Sequence, residues 1–285
     1  MSDTILALID GSVYAASVCD LAGWAAGRTG RSVELVHVLG RRDSASTPVN
    51  LSGDLGFDAQ ETLLAELAAL DAQKAKLAQQ RGRLILAQAK ARLEAAGVTV
   101  PPPKLRVGDL LETVQELQAD ADLIVIGKRG EAADFAKLHL GSNLERVARA
   151  AHKPVLVAAR SFQPIRRVLI AFDGGQSATK AVSFIAYGAL LKGLEIHLLT
   201  VGGETTAARE ALEQAQGVLR AAGYAAEGWI VPGEADKVIA RHVQDQAIDL
   251  LVMGAFGHAR LRNLFIGSTT TEMIRSCKVP IMLFR

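Results

Sequence analysis

The sequence predicts an α/β protein built of two tandem, doubly wound, open parallel-sheet domains that form a pseudo-dimer. Three observations predict it. The chain repeats itself, its strands read as continuous apolar runs, and amphipathic segments alternate with those runs. Short apolar runs indicate strands buried on both faces, as in a parallel sheet sandwiched by helices. Alternation of strand and helix then gives the doubly wound arrangement.

The 285 residues are enough for two ordinary domains. In the first copy, residues 4–9 (TILALI) form the opening strand and run into Asp10-Gly11-Ser12. Their counterpart is 167–172 (RVLIAF), running into Asp173-Gly174-Gly175. The second strand is 33–38 (VELVHV), matched by 196–201 (IHLLTV). A later strand, 122–127 (DLIVIG), is matched by 249–254 (DLLVMG), and the last, 153–159 (KPVLVAA), by 278–284 (KVPIMLF). Segments such as 177–191 and 204–222 supply the amphipathic helices between them. One repeat defines the architecture of both copies. The domains are read as 1–162 and 163–285, with the junction in Arg160-Ser161-Phe162-Gln163-Pro164. Pairing of the two last strands back to back would bury their apolar edges and explain why the copies are fused.

The spacing between copies changes once. Asp10 to Asp173 and Val38 to Val201 are both 163 positions, whereas Gly97 to Gly223 and Gly141 to Gly267 are both 126. The first copy therefore carries 37 extra residues, an insert at about 41–77. It opens with a polar stretch and continues into a helix expected from about Gln60 to Ala96, rich in Ala, Leu, Gln and Lys and broken only by Gly82. Two readings stand: an outgrowth that covers a surface or a partner face, and a lid.

Composition narrows the function. Charged residues make up 22%, aromatics 5%, the formal net charge is +2, and no basic run exceeds two residues. Nucleic-acid binding requires a clustered basic face, so none is expected. No apolar stretch approaches the length of a membrane span. The N-terminus lacks a basic region ahead of its apolar run, so no signal peptide is expected and the location is read as cytoplasmic. Cys19 and Cys277, far apart and outside any CxxC spacing, read as small buried hydrophobes.

In a doubly wound sheet a ligand binds beyond the carboxyl ends of the strands, where strand order reverses. The residues placed there are Asp10 and Asp173 after the first strands. After the fourth strand of each copy come two glycine patterns. The second copy has Gly254-Ala255-Phe256-Gly257, nine residues, then Gly267-Ser268-Thr269. The first has Gly127-Lys128-Arg129-Gly130, ten residues, then Gly141-Ser142-Asn143. Glycines let a backbone approach a ligand closely. The helix that follows offers unpaired N–H groups and the positive end of its dipole, which together suit a phosphate.

On these residues the sequence resembles the universal stress protein family in its tandem-domain form. The family's Gly-two-Gly-nine-Gly-Ser/Thr pattern is met by Gly254, Gly257, Gly267 and Ser268. Asp10 and Asp173, Val38 and Val201, and the glycines Gly108 and Gly233 with the acid after each, also match. The resemblance covers all but the 37-residue insert. It implies adenine nucleotide alpha hydrolase-like domains with an ATP site in each, with or without magnesium. Asp173 and the backbones of Ala171 and Val201 would hold the adenosine. The loop from Met253 through Gly254, Gly257 and His258 to Arg260 would wrap ribose and phosphates, and Gly267, Ser268 and Thr269 would close on the triphosphate. His258, Arg260 and Arg262 add charge there or are solvated. A second site would use Asp10, Val38, Gly127, Gly130, Gly141, Ser142 and Asn143. The second copy is expected to be the better site, because the first has one extra residue in its loop; Lys128 and Arg129 either offset that or do nothing.

No HExxH, GxSxG, Walker A or metal-spaced Cys/His motif occurs, so neither catalysis nor a metal site is expected. His37 and His197 read as satisfied core residues and His242 as helix surface. A regulatory protein that responds to ATP is the leading reading, paired internally and open to pairing with a second chain. A rival is an ATP pyrophosphatase-like enzyme. Against it, residues 173–178 (DGGQSA) lack that class's first Ser, and Gln176 stands where its Asp would be. The third reading is a stress protein that binds no nucleotide and acts through protein contacts.

Overall fold

The computed structural model describes residues 4–40, 57–130, 142–255 and 267–285, with backbone alone for 57–60 and 142. In chain order the elements are β1 (Thr4–Leu8), α1 (Ala15–Thr29), β2 (Ser32–Leu39), α2 (Phe57–Ala95), β3 (Lys104–Val107), α3 (Leu110–Leu117), β4 (Leu123–Gly127), α4 (Ser142–Ala150) and β5 (Val155–Ala158). The second copy follows with β6 (Arg167–Ala171), α5 (Gln176–Tyr187), β7 (Glu195–Val201), α6 (Thr206–Ala221), β8 (Ala226–Val231), α7 (Ala235–Asp245), β9 (Leu250–Gly254), α8 (Ser268–Ser276) and β10 (Ile281–Phe284).

All ten strands form one sheet in the order β3-β2-β1-β4-β5-β10-β9-β6-β7-β8. Each half runs 3-2-1-4-5, and every pairing within a half is parallel. The halves meet where β5 and β10 pair antiparallel, Met282 opposite Leu156. The last strands therefore do pair back to back, and the pseudo-dimer is a continuous sheet. Neither apolar strand is left as an edge at this seam.

Two hydrophobic clusters flank the sheet. One gathers Leu21 and Ala22 of α1, Leu93 of α2, Ala181 of α5 and Leu219 of α6. The other gathers Val114 of α3, Leu144 of α4, Ile239 of α7 and Met273 of α8. Alternate strand residues feed opposite clusters: in β6, Val168 and Ile170 point to the first and Leu169 to the second. Period-two alternation thus buries both faces of each central strand.

Local signals set the helix limits. α1 ends at Gly30 (φ 71°), whose N–H donates to the Ala26 carbonyl, a left-handed cap that glycine adopts without a Cβ penalty. α3 begins where Asp109 accepts from the Leu111 and Glu112 N–H groups at 2.8 and 3.3 Å. The segment expected as helix to residue 191 stops at Tyr187. Gly188 is extended, and a Cβ there would lie 2.5 Å from the Phe184 carbonyl oxygen. The helix expected from Gln60 spans Phe57–Ala95.

Candidate functional site

Strand order reverses between β1 and β4 in the first copy and between β6 and β9 in the second. At each point the helix after one strand packs on one face and the helix after its neighbour on the other. The two connections part there, leaving a crevice beyond the strand ends.

In the second copy β6 runs through Phe172 into Asp173. Gly174 is left-handed (φ 73°), and the Gly175 N–H donates to Asp173 Oδ1 at 2.9 Å. The carboxylate is thus folded over the turn that opens α5. Ala171 pairs with Met253 of β9, so Asp173 and Gly254 stand at adjacent strand ends. Val201, half-buried, closes β7. The leading end of α8 is tied to the same place. Thr270 Oγ1, buried, donates to the Gly254 carbonyl at 3.0 Å, and the Gly267 N–H donates to the Ala255 carbonyl at 3.1 Å. Ser268 is exposed and Thr269 half-buried at the first turn, where an α-helix carries N–H groups without intrahelical acceptors. Ala171, Asp173, Val201, Met253, Gly254, Gly267, Ser268 and Thr269 therefore gather at one crevice rim. Gly257, His258, Arg260 and Arg262 lie outside the described residues.

In the first copy Asp10 Oδ1 accepts from the Ser12 N–H at 3.1 Å, and Ser12 Oγ accepts from the Tyr14 N–H at 3.2 Å. A Cβ at Gly130 would stand 3.2 Å from Asp10 Oδ2, and one at Gly127 would stand 2.9 Å from Tyr14 Cβ. Close approach, and not left-handed backbone, is why both are glycine. Asp10, Gly127 and Gly130 are thereby brought together, and Val38 lies half-buried near the end of β2. Asn143 is exposed on the first turn of α4. Gly141 lies outside the described residues, and of Ser142 only the backbone is described.

Of the two expectations for Lys128, a charge that offsets the longer loop of this site or an exposed loop charge that does nothing, neither describes the half-buried side chain. Its Nζ donates to the Cys277 carbonyl, at the end of α8 in the other copy. Burial pulls its pKa down to about 8. A reciprocal contact joins Arg285 Nη1 to the Arg149 carbonyl of α4 at 2.6 Å. Each copy thus sends a cation to the last turn of a helix in the other, where the dipole is negative.

Two features differ from, or add to, the sequence reading. His242 is packed inward: its Nε2 lies 3.3 Å from His197 Nδ1, and its ring centroid 5.1 Å from that of Trp229. Burial is the main cause that lowers its pKa, and His197 adds to the shift. His197, 3% exposed, also meets Glu195 Oε1 at 2.8 Å, so it is a satisfied core residue as expected. The second feature was missed. His37 Nδ1 lies 2.7 Å from the Ile9 carbonyl, and Thr200 Oγ1 donates to the Phe172 carbonyl at 2.9 Å. These residues are 163 positions apart, as are Ile9 and Phe172. In both copies a side chain of the second strand pins the carbonyl just before the site aspartate. The repeat offset, applied residue by residue, would have found the pair.

The third-strand glycines share an unusual backbone, φ 138° at Gly108 and 139° at Gly233. The acids after them differ. Asp109 receives Arg146 Nη2 at 3.0 and 2.8 Å, and that contact is the main cause holding its carboxyl below its usual pKa. Glu234 instead meets Lys237 on its own helix at 2.8 Å.

Fold and crevices together define a tandem, doubly wound α/β protein with a strand-end cleft in each half. The chain belongs to the universal stress protein family, whose model matches residues 1–159 and 202–285. It is 41% identical to the universal stress protein Slr1230 of Synechocystis over 284 residues, 99% of each chain. Among solved structures, a universal stress protein from Archaeoglobus fulgidus covers 99% of this chain and 98% of its own, with a TM-score of 0.74 and 20% identity. Another structure matched is that of the Archaeoglobus fulgidus universal stress protein in complex with dAMP, covering 43% of this chain and 98% of its own with 19% identity and a TM-score of 0.34.

Proposed function

We propose that this chain is a cytoplasmic regulatory protein that binds ATP, with or without magnesium, in the β6–β9 crevice, and that it is not an enzyme. The observation that carries the reading is the anchoring of α8: the Thr270–Gly254 bond sets the first-turn N–H groups of Ser268 and Thr269 beside the strand switch, across from Asp173. A helix leading end supplies donors and positive potential for phosphate without a lysine. Asp173, held by Gly175, faces the ribose, and the backbones of Ala171 and Val201 meet the adenine. Nucleotide bound there bridges α5 and α8, so it changes how the two faces of the sheet are held. That is a route to altered partner choice.

A weaker site in the first copy is supported by the Asp10–Gly130 approach. It lacks Lys128, which is committed to the other copy.

Denaturing the purified protein and identifying released ligand, then titrating ATP by calorimetry, tests the proposal. Wild type should bind, Gly257→Val should remove the tighter isotherm, and Gly130→Val should affect only a weaker one. Unchanged binding in both variants would reject the assignment.

A further inference from the structure

α2 is about 58 Å long at 1.5 Å per residue, and only its second half is packed on the body. Leu86, Ala89 and Leu93 are buried against the sheet and α1. Between residues 61 and 81 no residue is buried. The helix nevertheless places leucine at 63, 70, 77 and 84, a strict seven-residue repeat. Leu70, Leu77 and Leu84 are 52%, 57% and 64% exposed. Leu84 lies about 200° around the helix from both Gly82 and Leu86, which are on the packed side. Leu70, Leu77 and Leu84 therefore form a stripe facing away from the body, with the half-buried Leu63 at its start, and supply one of the two seam positions of each heptad of a coiled coil.

Charge along α2 is divided by sign. Glu61, Glu66 and Asp71 stand in the first half, where residues 61–73 contain no base. Lys74, Lys76, Arg81 and Arg83 follow, and no acid appears until Glu94. The stripe is symmetric about the midpoint between Gln73 and Lys74. Reversal about that point exchanges Leu63 with Leu84, Leu70 with Leu77, Glu66 with Arg81, and Asp71 with Lys76. The rows beside the leucines exchange as well: Glu66, Gln73 and Gln80 fall opposite Arg81, Lys74 and Leu67. Every charge that has a charged counterpart under this operation meets the opposite sign. Side by side in parallel, the same helices would set Lys74 on Lys74 and Arg81 on Arg81. Asp71 and Arg81 also interact within their own chain, and the complementarity rests on the sign of each half, not on open bonds.

We propose that α2 is a docking surface for a second copy of this chain, pairing antiparallel through a two-fold axis so that Leu70 of each copy packs on the partner's Leu77. A two-fold contact is self-complementary by construction, and this helix is self-complementary under that operation alone. Leu63 to Leu84 gives about 33 Å of seam. The seam uses none of the residues proposed to hold nucleotide, so its test is separate from that of nucleotide binding.

Light scattering on the full chain over a range of micromolar concentrations tests it. The expected mass is that of a dimer, twice 30.2 kDa, returning to one chain in the Leu70→Glu/Leu77→Glu variant with circular dichroism confirming that the helix is kept. Glu66→Arg should weaken the dimer about tenfold, because two ion pairs become like-charge contacts. Adding Arg81→Glu in the same chain should restore it. Orientation is read by oxidative crosslinking: Leu70→Cys mixed with Leu77→Cys should give a disulfide-linked dimer, and Leu70→Cys alone should not. A wild type that stays single-chain at every concentration, a dimer indifferent to both leucine substitutions, or efficient crosslinking of Leu70→Cys with itself would overturn the proposal.

Discussion

Replacing a glycine inside a helix with alanine ordinarily stabilises it by about 0.5–1 kcal/mol, because alanine loses less freedom on folding. At Gly82 the sign should invert. A Cβ there would stand 2.7 Å from Leu105 Cδ1 and 2.8 Å from His37 Cδ2, where ordinary contact begins at 3.4 Å. Leu105 is half-buried and its methyl can turn aside. His37 is 7% exposed and its ring is tied through Nδ1 to the Ile9 carbonyl, so it has to slide with that bond. Overpacking of this kind costs about 1–3 kcal/mol, which exceeds the helical gain. A net loss of about 1–2 kcal/mol is expected for Gly82→Ala in urea unfolding followed by circular dichroism. Gly217 of α6 supplies the control. It is also inside a helix, but a Cβ there meets nothing within 4 Å, so Gly217→Ala should be stabilising by about 0.5–1 kcal/mol. If both variants stabilise the protein equally, α2 does not press on His37 and the reasoning fails.

Two further predictions concern pH. Lys128 has its folded pKa lowered to about 8 from 10.5 by burial, so the unfolded chain holds more protons between those values and stability should rise with pH across that window, by about 3 kcal/mol at most. Lys128→Met should remove that rise in denaturation measured from pH 7 to 11, and a difference between the two proteins that does not change with pH would contradict it. His242 is shifted in the same direction: its folded pKa lies below 6.5, chiefly through burial, so its contribution is present above pH 6.5 and is lost as pH falls below it. His242→Gln should flatten that loss, and Trp229 emission should change over the same interval in wild type alone.

Much of the architecture was legible because a parallel sheet writes itself locally. Each central strand is buried on both faces, so it appears as an unbroken apolar run such as 123–126 or 250–253, and the repeat doubles the signal. The seam between copies was legible for the same reason, since β5 and β10 are apolar to their ends. The site was legible in part. Gly130 beside Asp10 and Gly267 beside Gly254 follow from strand-end geometry, which the order of elements determines. What sequence could not carry were contacts between residues remote in the chain with no periodic trace. Lys128 and Cys277 are 149 positions apart, and a lysine next to a glycine loop reads the same whether it meets phosphate or a helix end. His242 sits on a helix whose polar neighbours suggest surface, and its turn inward depends on His197 and Trp229 from two other strands. Gly188 ended a helix that composition alone would extend. The leucines of α2 were visible as residues, but their outward placement required knowing which face the sheet takes.

The central claim is that the leading end of α8 holds phosphate beside Asp173. A crystal structure of the protein grown with a non-hydrolysable ATP analogue tests it most directly. The phosphates should lie within hydrogen-bond distance of the backbone N–H groups of Ser268 and Thr269, with the ribose at Asp173. Nucleotide density elsewhere on the chain, with that first turn left unoccupied, would contradict it.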